Sequence, residues 1–364
     1  PTEILADQHL FKFTHWREPL GLEVVWPSGS QRKKAKDEAK AKLADGSVKI
    51  AVGTHALFSD DVEFQNLGLV IVDEQHRFGV AQRLALKNKG RDVHQLMMSA
   101  TPIPRTLAMS FFADLDVSVI DELPPGRTPI KTRLVNNVRR AEVEGFVLNI
   151  CRKGQQAYWV CPLIEESETL QLQTATETLE QLQAALPELN IGLVHGRMKA
   201  AEKAEVMAEF AAGRLNVLVA TTVIEVGVDV PNAALMVIEH AERMGLAQLH
   251  QLRGRVGRGA AESVCVLLFA EPLSELAKAR LKVIYEHTDG FEIARQDLNI
   301  RGPGEFLGAR QSGVPMLRFA NLEEDLHLLE QAREIAPMLI EQNPEIVEAH
   351  LARWLSSREG YLGV

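Results

Sequence analysis

The sequence predicts an α/β protein of two parallel-sheet domains followed by a small helical region, and three observations carry that expectation. Apolar runs rich in β-branched residues recur in two series with helical stretches between them, a proline-rich break separates the series, and the rhythm fades beyond about residue 272.

The first series comprises 22–26, 48–52, 69–73 and 94–98; the second comprises 156–161, 190–194, 216–220, 234–238 and 263–269. Continuous rather than alternating hydrophobicity predicts strands of parallel sheets covered on both faces, with reactive residues just past their carboxyl ends. Between the series lies Glu122-Leu-Pro-Pro-Gly-Arg-Thr-Pro129, which can continue neither a helix nor a central strand. The expected domains are therefore 1–124 and 125–272. In a third part, 273–364, helices are expected over 273–287, 322–340 and 346–355, around an irregular glycine-rich stretch at 301–313. The two halves share a rhythm but no sequence repeat.

Bulk composition narrows the class. With 364 residues, 46% of them hydrophobic, the chain can fill more than one core. A net charge of −9 argues against holding nucleic acid by charge alone, so any such contact must be local. No run approaches the roughly 18 apolar residues of a spanning helix, and Pro1-Thr2-Glu3 does not open a signal peptide, which points to the cytosol. Cys151, Cys161 and Cys265 lack C-x-x-C spacing; buried thiols are expected, with neither a disulfide nor a metal cluster.

The stretch Leu-Val-Ile-Val-Asp-Glu-Gln-His, 69–76, places two carboxylates at the end of an expected strand. Alone, such a pair also suits a loop start or a helix cap. At a strand end it is the pair with which a nucleoside triphosphatase holds hydrated magnesium, through Asp73, and activates the attacking water, through Glu74. Further residues favour the second reading. Met98-Ser-Ala-Thr-Pro-Ile-Pro-Arg105 follows the next apolar run with small hydroxyls suited to sensing a triphosphate. Gln251-Leu-Arg-Gly-Arg-Val-Gly-Arg258 interleaves arginines with glycines, so that guanidinium forks could reach phosphate oxygens past a close backbone. Ala220-Thr-Thr-Val-Ile-Glu-Val-Gly-Val-Asp229 ends a strand with two hydroxyls for phosphate contact, then Gly227 and Asp229 for the ribose or metal side. By contrast, Gln31-Arg-Lys-Lys-Ala-Lys-Asp-Glu-Ala-Lys-Ala-Lys42 reads as the solvated face of a helix, since Lys and Ala are good helix formers.

Taken together, Pro1-Thr-Glu-Ile-Leu-Ala6, Gly53-Thr-His-Ala-Leu57, Asp73-Glu-Gln-His76, Ser99-Ala-Thr-Pro102, His195-Gly-Arg197, Ala220 to Asp229 and Gln251 to Arg258 resemble the ordered motifs of superfamily 2 helicases. Asp73 to Val80, Tyr158 to Ser167 and Ile300-Arg-Gly-Pro-Gly-Glu305 resemble the RecG family of bacterial ATP-dependent DNA helicases. The resemblance covers essentially the whole chain.

It implies two RecA-like domains that close on ATP and Mg2+ and drive translocation on duplex DNA, remodelling stalled forks and Holliday junctions in recombination and repair. Asp73 would hold the metal through water and Glu74 would be the general base; Gln251, Arg255 and Arg258 would face the phosphates. His76, with Gly227 and Asp229, would lie on the nucleotide side. Gln75 and His76 would belong to a coupling network with Ser99 and Thr101. Pro1, Thr2, Gly53, Thr54, His195, Gly196, Thr221 and Thr222 would line the DNA track. The 301–313 region resembles the translocation motif shared with the transcription-repair coupling factor, with Arg295, Gln296, Arg301, Arg310 and Gln311 as its candidates. Implied partners are branched or forked DNA and a single-strand-binding protein, for a monomer that does not engage membranes.

One departure stands out. No Gly-Lys dipeptide, and hence no G-x-x-x-x-G-K-[ST] phosphate loop, occurs in the 364 residues. The first domain is accordingly expected to be incomplete at its N-terminus, the wedge domain of the family to be missing, and the isolated chain to be inactive. Two alternatives stay open. A coupling-factor-like translocase would carry Asp-Glu-Glu-His where this chain has Asp73-Glu-Gln-His76, and a non-catalytic nucleic-acid-binding module would have no use for the acid pair and arginines.

Overall fold

A computed structural model of the chain describes residues 3–26, 33–74, 78, 89–90, 92–99, 116–120, 122, 127, 129–161, 168–221, 230–259, 262–301 and 326–355. The chain divides into two compact units, one of Pro1–Thr101 with Leu123–Ile293 and one of Pro102–Glu122 with Ala294–Val364. Among the described residues no helix is long and apolar enough to cross a membrane.

The first unit opens with α1 (Glu3–Arg17), β1 (Val24–Val25), α2 (Lys33–Ala44), β2 (Ile50–Ala51), β3 (Leu69–Val72) and β4 (His94–Met97). β1 pairs in parallel with β2, and β3 with β4. The lysine-rich run indeed forms a helix with a solvated face: α2 buries only Ala39 and Leu43, clustered with Val25, Val48 and Val62. Its Lys40 pairs with Asp61, and Lys42 pairs with Glu23 at 2.7 Å.

Strand β3 corrects one expectation. Its side chains alternate, and Leu69 and Ile71 are 56% and 51% exposed, so the pair β3–β4 is not covered on both faces. The two-residue period of a strand sends Val70 and Val72 to one face, where among the described residues they cluster with Phe58, Leu67, Phe78 and Val93, and turns Leu69 and Ile71 to the other.

The same unit continues with β5 (Lys131–Asn136), α3 (Arg140–Arg152), β6 (Gln156–Val160), α4 (Glu168–Ala185), β7 (Ile191–Val194), α5 (Ala200–Ala211), β8 (Val217–Ala220), β9 (Ala233–Ile238), α6 (Leu246–Arg253), β10 (Val264–Phe269), α7 (Glu275–Glu286) and the start of α8 (Gly290–Arg301). Six strands form one parallel sheet in the order β5-β10-β9-β6-β8-β7. Here double coverage holds: every residue of β6, β8 and β9 is buried, and Trp159, Leu182, Val217, Leu235 and Val266 belong to one core. Cys151, Cys161 and Cys265 lie in this layer, and burial pushes their thiols up to about 11, about 12 and about 12.

Strand β5 was not expected from the apolar runs. Its sequence Lys-Thr-Arg-Leu-Val-Asn alternates instead of running apolar, because it is an edge strand that pairs only with β10.

In the second unit, α9 (Leu326–Gln342) and α10 (Pro344–Leu355) occupy the two C-terminal helical segments read from periodicity. They meet at Asn343, whose N–H donates to the Leu339 carbonyl at 2.9 Å and whose carbonyl accepts from Ile346 N–H at 3.1 Å. Pro344 takes the first helical position, where a missing N–H costs nothing. Apart from Arg301, the last residue of α8, the glycine-rich 301–313 stretch lies outside the described residues.

Candidate functional site

Parallel pairing brings sequence-distant residues to common sheet edges. Val72 pairs with Met97, and Met98 N–H donates to the Val72 carbonyl at 2.8 Å, so Asp73, Glu74 and Ser99 leave the carboxyl edge of β3–β4 together. The Asp73 carboxylate is held from two sides. His9 of α1 donates through Nε2 to Oδ2 at 3.1 Å, and Glu74 N–H donates to Oδ1 at 2.9 Å. The hydrogen bond from His9, then that from Glu74, outweigh partial burial and hold this carboxyl below its ordinary value. A half-buried, ionised carboxylate at a strand end fits a hydrated magnesium ion.

Glu74 adopts φ +54°, a left-handed conformation that non-glycine residues rarely take. Such backbone costs on the order of 1–3 kcal/mol and clusters at functional positions. Gly53 and Thr54 follow β2, whose exit is tied by Val52 N–H to the Val25 carbonyl at 2.9 Å. Thr54 is extended and caps a short turn, His55–Phe58.

In the six-stranded sheet, Val194 pairs with Ala220, so His195, Gly196 and Thr221 emerge side by side from β7 and β8. Thr221 is buried, and its N–H donates to the Val194 carbonyl at 3.2 Å. Lys203 donates to the Gly196 carbonyl at 2.8 Å, bringing a cation to this edge. Burial, then the charges of Lys203 and Arg197, hold the His195 imidazole below its ordinary value, and its Nδ1 is buried with no hydrogen-bond partner among the described residues.

The arginine segment separates into distinct parts. Gln251 and Arg253 end α6, Arg255 is buried, and Arg258 is exposed beyond Gly257 at φ +79°. Arg253 is no phosphate ligand. The residue is 3% exposed, and its guanidinium donates to the carbonyls of Ile284 at 2.8 Å, His287 at 2.9 Å and Thr288 at 3.3 Å. It also reaches Thr132 Oγ1 at 3.3 Å and His250 Nδ1 at 3.1 Å. On the other side of the turn, Arg127 donates to the Gly254 carbonyl at 3.0 Å.

The roles of His9, His250, Arg127 and Arg253 were not anticipated. Arg253 had a signal, since it stands seven residues after buried Leu246 and four after buried Leu249, on the inward stripe of α6. The others had none, because their partners are fixed only by tertiary packing. Of the remaining expected residues, Arg295 lies on α8 and Arg301 ends it. Pro1, Thr2, Gln75, His76, Thr101, Thr222, Gly227, Asp229, Arg310 and Gln311 lie outside the described residues.

Three segments of the chain match known families. Residues 1–110 match the DEAD/DEAH box helicase model and residues 143–260 the helicase conserved C-terminal domain, which define the class: a helicase of superfamily 2 with RecA-like α/β domains. Residues 287–355 match the C-terminal part of domain 3 of ATP-dependent DNA helicase RecG. The chain belongs to the RecG family. It is 56% identical over 366 residues to ATP-dependent DNA helicase RecG of Escherichia coli K12, covering 99% of this chain and 53% of that protein. For the Thermotoga maritima RecG the identity is 52%, covering 92% of this chain and 43% of the relative. The chain thus spans about half the length of the curated relatives it matches. A solved structure of RecG bound to a three-way DNA junction superposes with a TM-score of 0.71 at 48% identity, covering 91% of this chain and 42% of that one. A point variant of S. cerevisiae Dbp5 bound to RNA and ADP BeF3 (TM-score 0.55, 16% identity, covering 83% of this chain and 74% of that one) shares the fold alone.

Proposed function

We propose that this chain is the motor portion of an ATP-dependent double-stranded DNA translocase that remodels branched DNA, such as stalled replication forks and Holliday junctions, in recombination and repair. The observation that carries the reading is the conjunction of 56% identity to RecG over nearly the whole chain with an acid pair held at the end of β3. Its three parts are 1–124, 125–272 and 273–364; each contains one of the matched segments, 1–110, 143–260 and 287–355.

ATP is the nucleotide, and magnesium, when bound, supplies charge neutralisation at the phosphates. Asp73 would hold it through water, and Glu74 would take the proton of the attacking water. Gln251, Arg255 and Arg258 face the phosphates, with His76, Gly227 and Asp229 on the nucleotide side. Gln75, Ser99 and Thr101 couple this site to a DNA track of Pro1, Thr2, Gly53, Thr54, His195, Gly196, Thr221 and Thr222. Arg295, Arg301, Arg310 and Gln311 belong to the translocation motif. The proposed partners of this cytoplasmic monomer are forked DNA and a single-strand-binding protein. Gln75 favours this reading over a coupling-factor-like translocase.

The chain lacks a phosphate loop and spans 53% of its Escherichia coli relative, so this reading requires that loop from elsewhere in a longer protein. The test is DNA-stimulated ATP hydrolysis, on forked and linear DNA, by this chain and by the longer product of its coding region. Turnover only by the longer protein is expected. Silence in both overturns the motor reading and leaves a nucleic-acid-binding module; appreciable turnover by the chain alone overturns the requirement for a phosphate loop outside it.

A further inference from the structure

Three aromatic rings join the two segments assigned to different ligands. His55, the residue after Thr54, stacks on Phe78 with ring centroids 4.6 Å apart and planes inclined by 29°. Phe58 closes the cluster edge-on, 5.4 Å from Phe78 and 5.7 Å from His55. His55 and Phe58 are the two ends of one short helical turn, closed by Leu57 N–H donating to the Thr54 carbonyl at 3.0 Å. Thr54 and the His55 ring therefore move as one piece. Phe78 is buried against Val70 and Val72, the strand residues just before Asp73, and lies four residues past Glu74.

We infer that His55 and Phe78 are positioning residues that transmit DNA contact at Gly53–Thr54 to the Asp73–Glu74 pair. The inference rests on the proposed assignment of those two segments. A stacked pair resists sliding more than an aliphatic contact of equal area, because the ring quadrupoles favour a limited set of offsets. Displacement of the Thr54 turn by a DNA strand therefore pushes the Phe78 ring, which is buried with Val70 and Val72 on the strand that leads to Asp73. Glu74, at φ +54°, is suited to respond, since a strained backbone persists only where its surroundings hold it.

The experiment uses the longer protein carrying an upstream phosphate loop, and measures ATP turnover with and without forked duplex DNA alongside the Kd for that DNA. In His55→Ala, the DNA-stimulated rate is expected to fall about tenfold, as small misplacements near reacting groups do, with the DNA-independent rate and the Kd unchanged. His55→Phe restores the stack and should restore stimulation. Phe78→Leu keeps buried apolar volume while removing the ring, and should reproduce the loss in a protein that still folds. Full stimulation in His55→Ala, or a His55→Phe variant as defective as His55→Ala, overturns the inference while leaving the motor reading standing. A parent whose turnover ignores DNA overturns both.

Discussion

The guanidinium of Arg253 donates to the main-chain carbonyl of Ile284 at 2.8 Å, fastening the end of α6 to the end of α7. Together with His287 and Thr288, Ile284 forms a cradle of carbonyls at a helix C-terminus, where partial negative charge favours a cation. The turn that presents Arg255 and Arg258 begins at the next residue, Gly254.

Arg253→Ala should therefore be costly without touching a ligand. It leaves buried carbonyls without their donor and opens a cavity, which together are worth about 3 kcal/mol or more. Arg253→Lys retains the charge but cannot fork towards several acceptors, and should fall between alanine and the parent. Urea midpoints of the three proteins give this ordering; equal midpoints would remove the clamp.

A second consequence follows from the Nη2–H of Arg253 donating to His250 Nδ1 at 3.1 Å, which requires a neutral imidazole. Burial first, then the charge of Arg253, push His250 down to about 4. Its folded pKa thus lies below the unfolded value of about 6.5, so the unfolded chain takes up the proton first as pH falls. Stability from this group is complete above about 6.5 and lost progressively towards pH 4, by up to about 3 kcal/mol. His250→Gln, which keeps an acceptor without titrating, should flatten the dependence of the urea midpoint between pH 7 and pH 5. An unchanged slope would assign the effect to other groups.

Glycines of the same segment should separate in their tolerance. A Cβ on Gly257, at φ +79°, would lie 3.0 Å from Ile130 Cγ1, whereas at Gly254 the nearest atom would be the Gln251 carbonyl at 3.4 Å. Gly257→Ala is expected to cost about 1–2 kcal/mol from the left-handed backbone alone. Gly254→Ala, at the ordinary φ of −67°, should be near neutral. Thermal melts of the two variants check the contrast.

How far the sequence could be read depends on where each signal resides. The apolar runs located β6, β8 and β9 because burial on both faces leaves no polar residue to interrupt them. They missed β5, since Lys131 and Arg133 interrupt it at every second position and leave a period of two rather than a run. The strand-end positions of Asp73, Ser99 and Thr221 were legible because a parallel sheet places the residues that follow its strands at one edge, a rule that needs only local sequence, whereas His195 was singled out by the motif resemblance. His9 was beyond reach, because it meets Asp73 through a contact across 64 residues that no periodicity encodes.

The role of Glu74 gives the sharpest separation between motor and binding module. In the longer protein, Glu74→Gln preserves size and hydrogen-bonding capacity but removes a carboxylate able to accept the proton of attacking water. Turnover should fall by about a hundredfold or more, the usual contribution of a general base, while DNA affinity and thermal stability stay near the parent. Asp73→Asn makes a distinct comparison, because it weakens what the hydrogen bond from His9 keeps ionised and should raise the magnesium concentration needed for half-maximal rate. If Glu74→Gln turned over at the parent rate, the proton would have another acceptor. The acid pair at the end of β3 would then be a structural cap, and the arginines of the 251–258 segment would need another reason for being there.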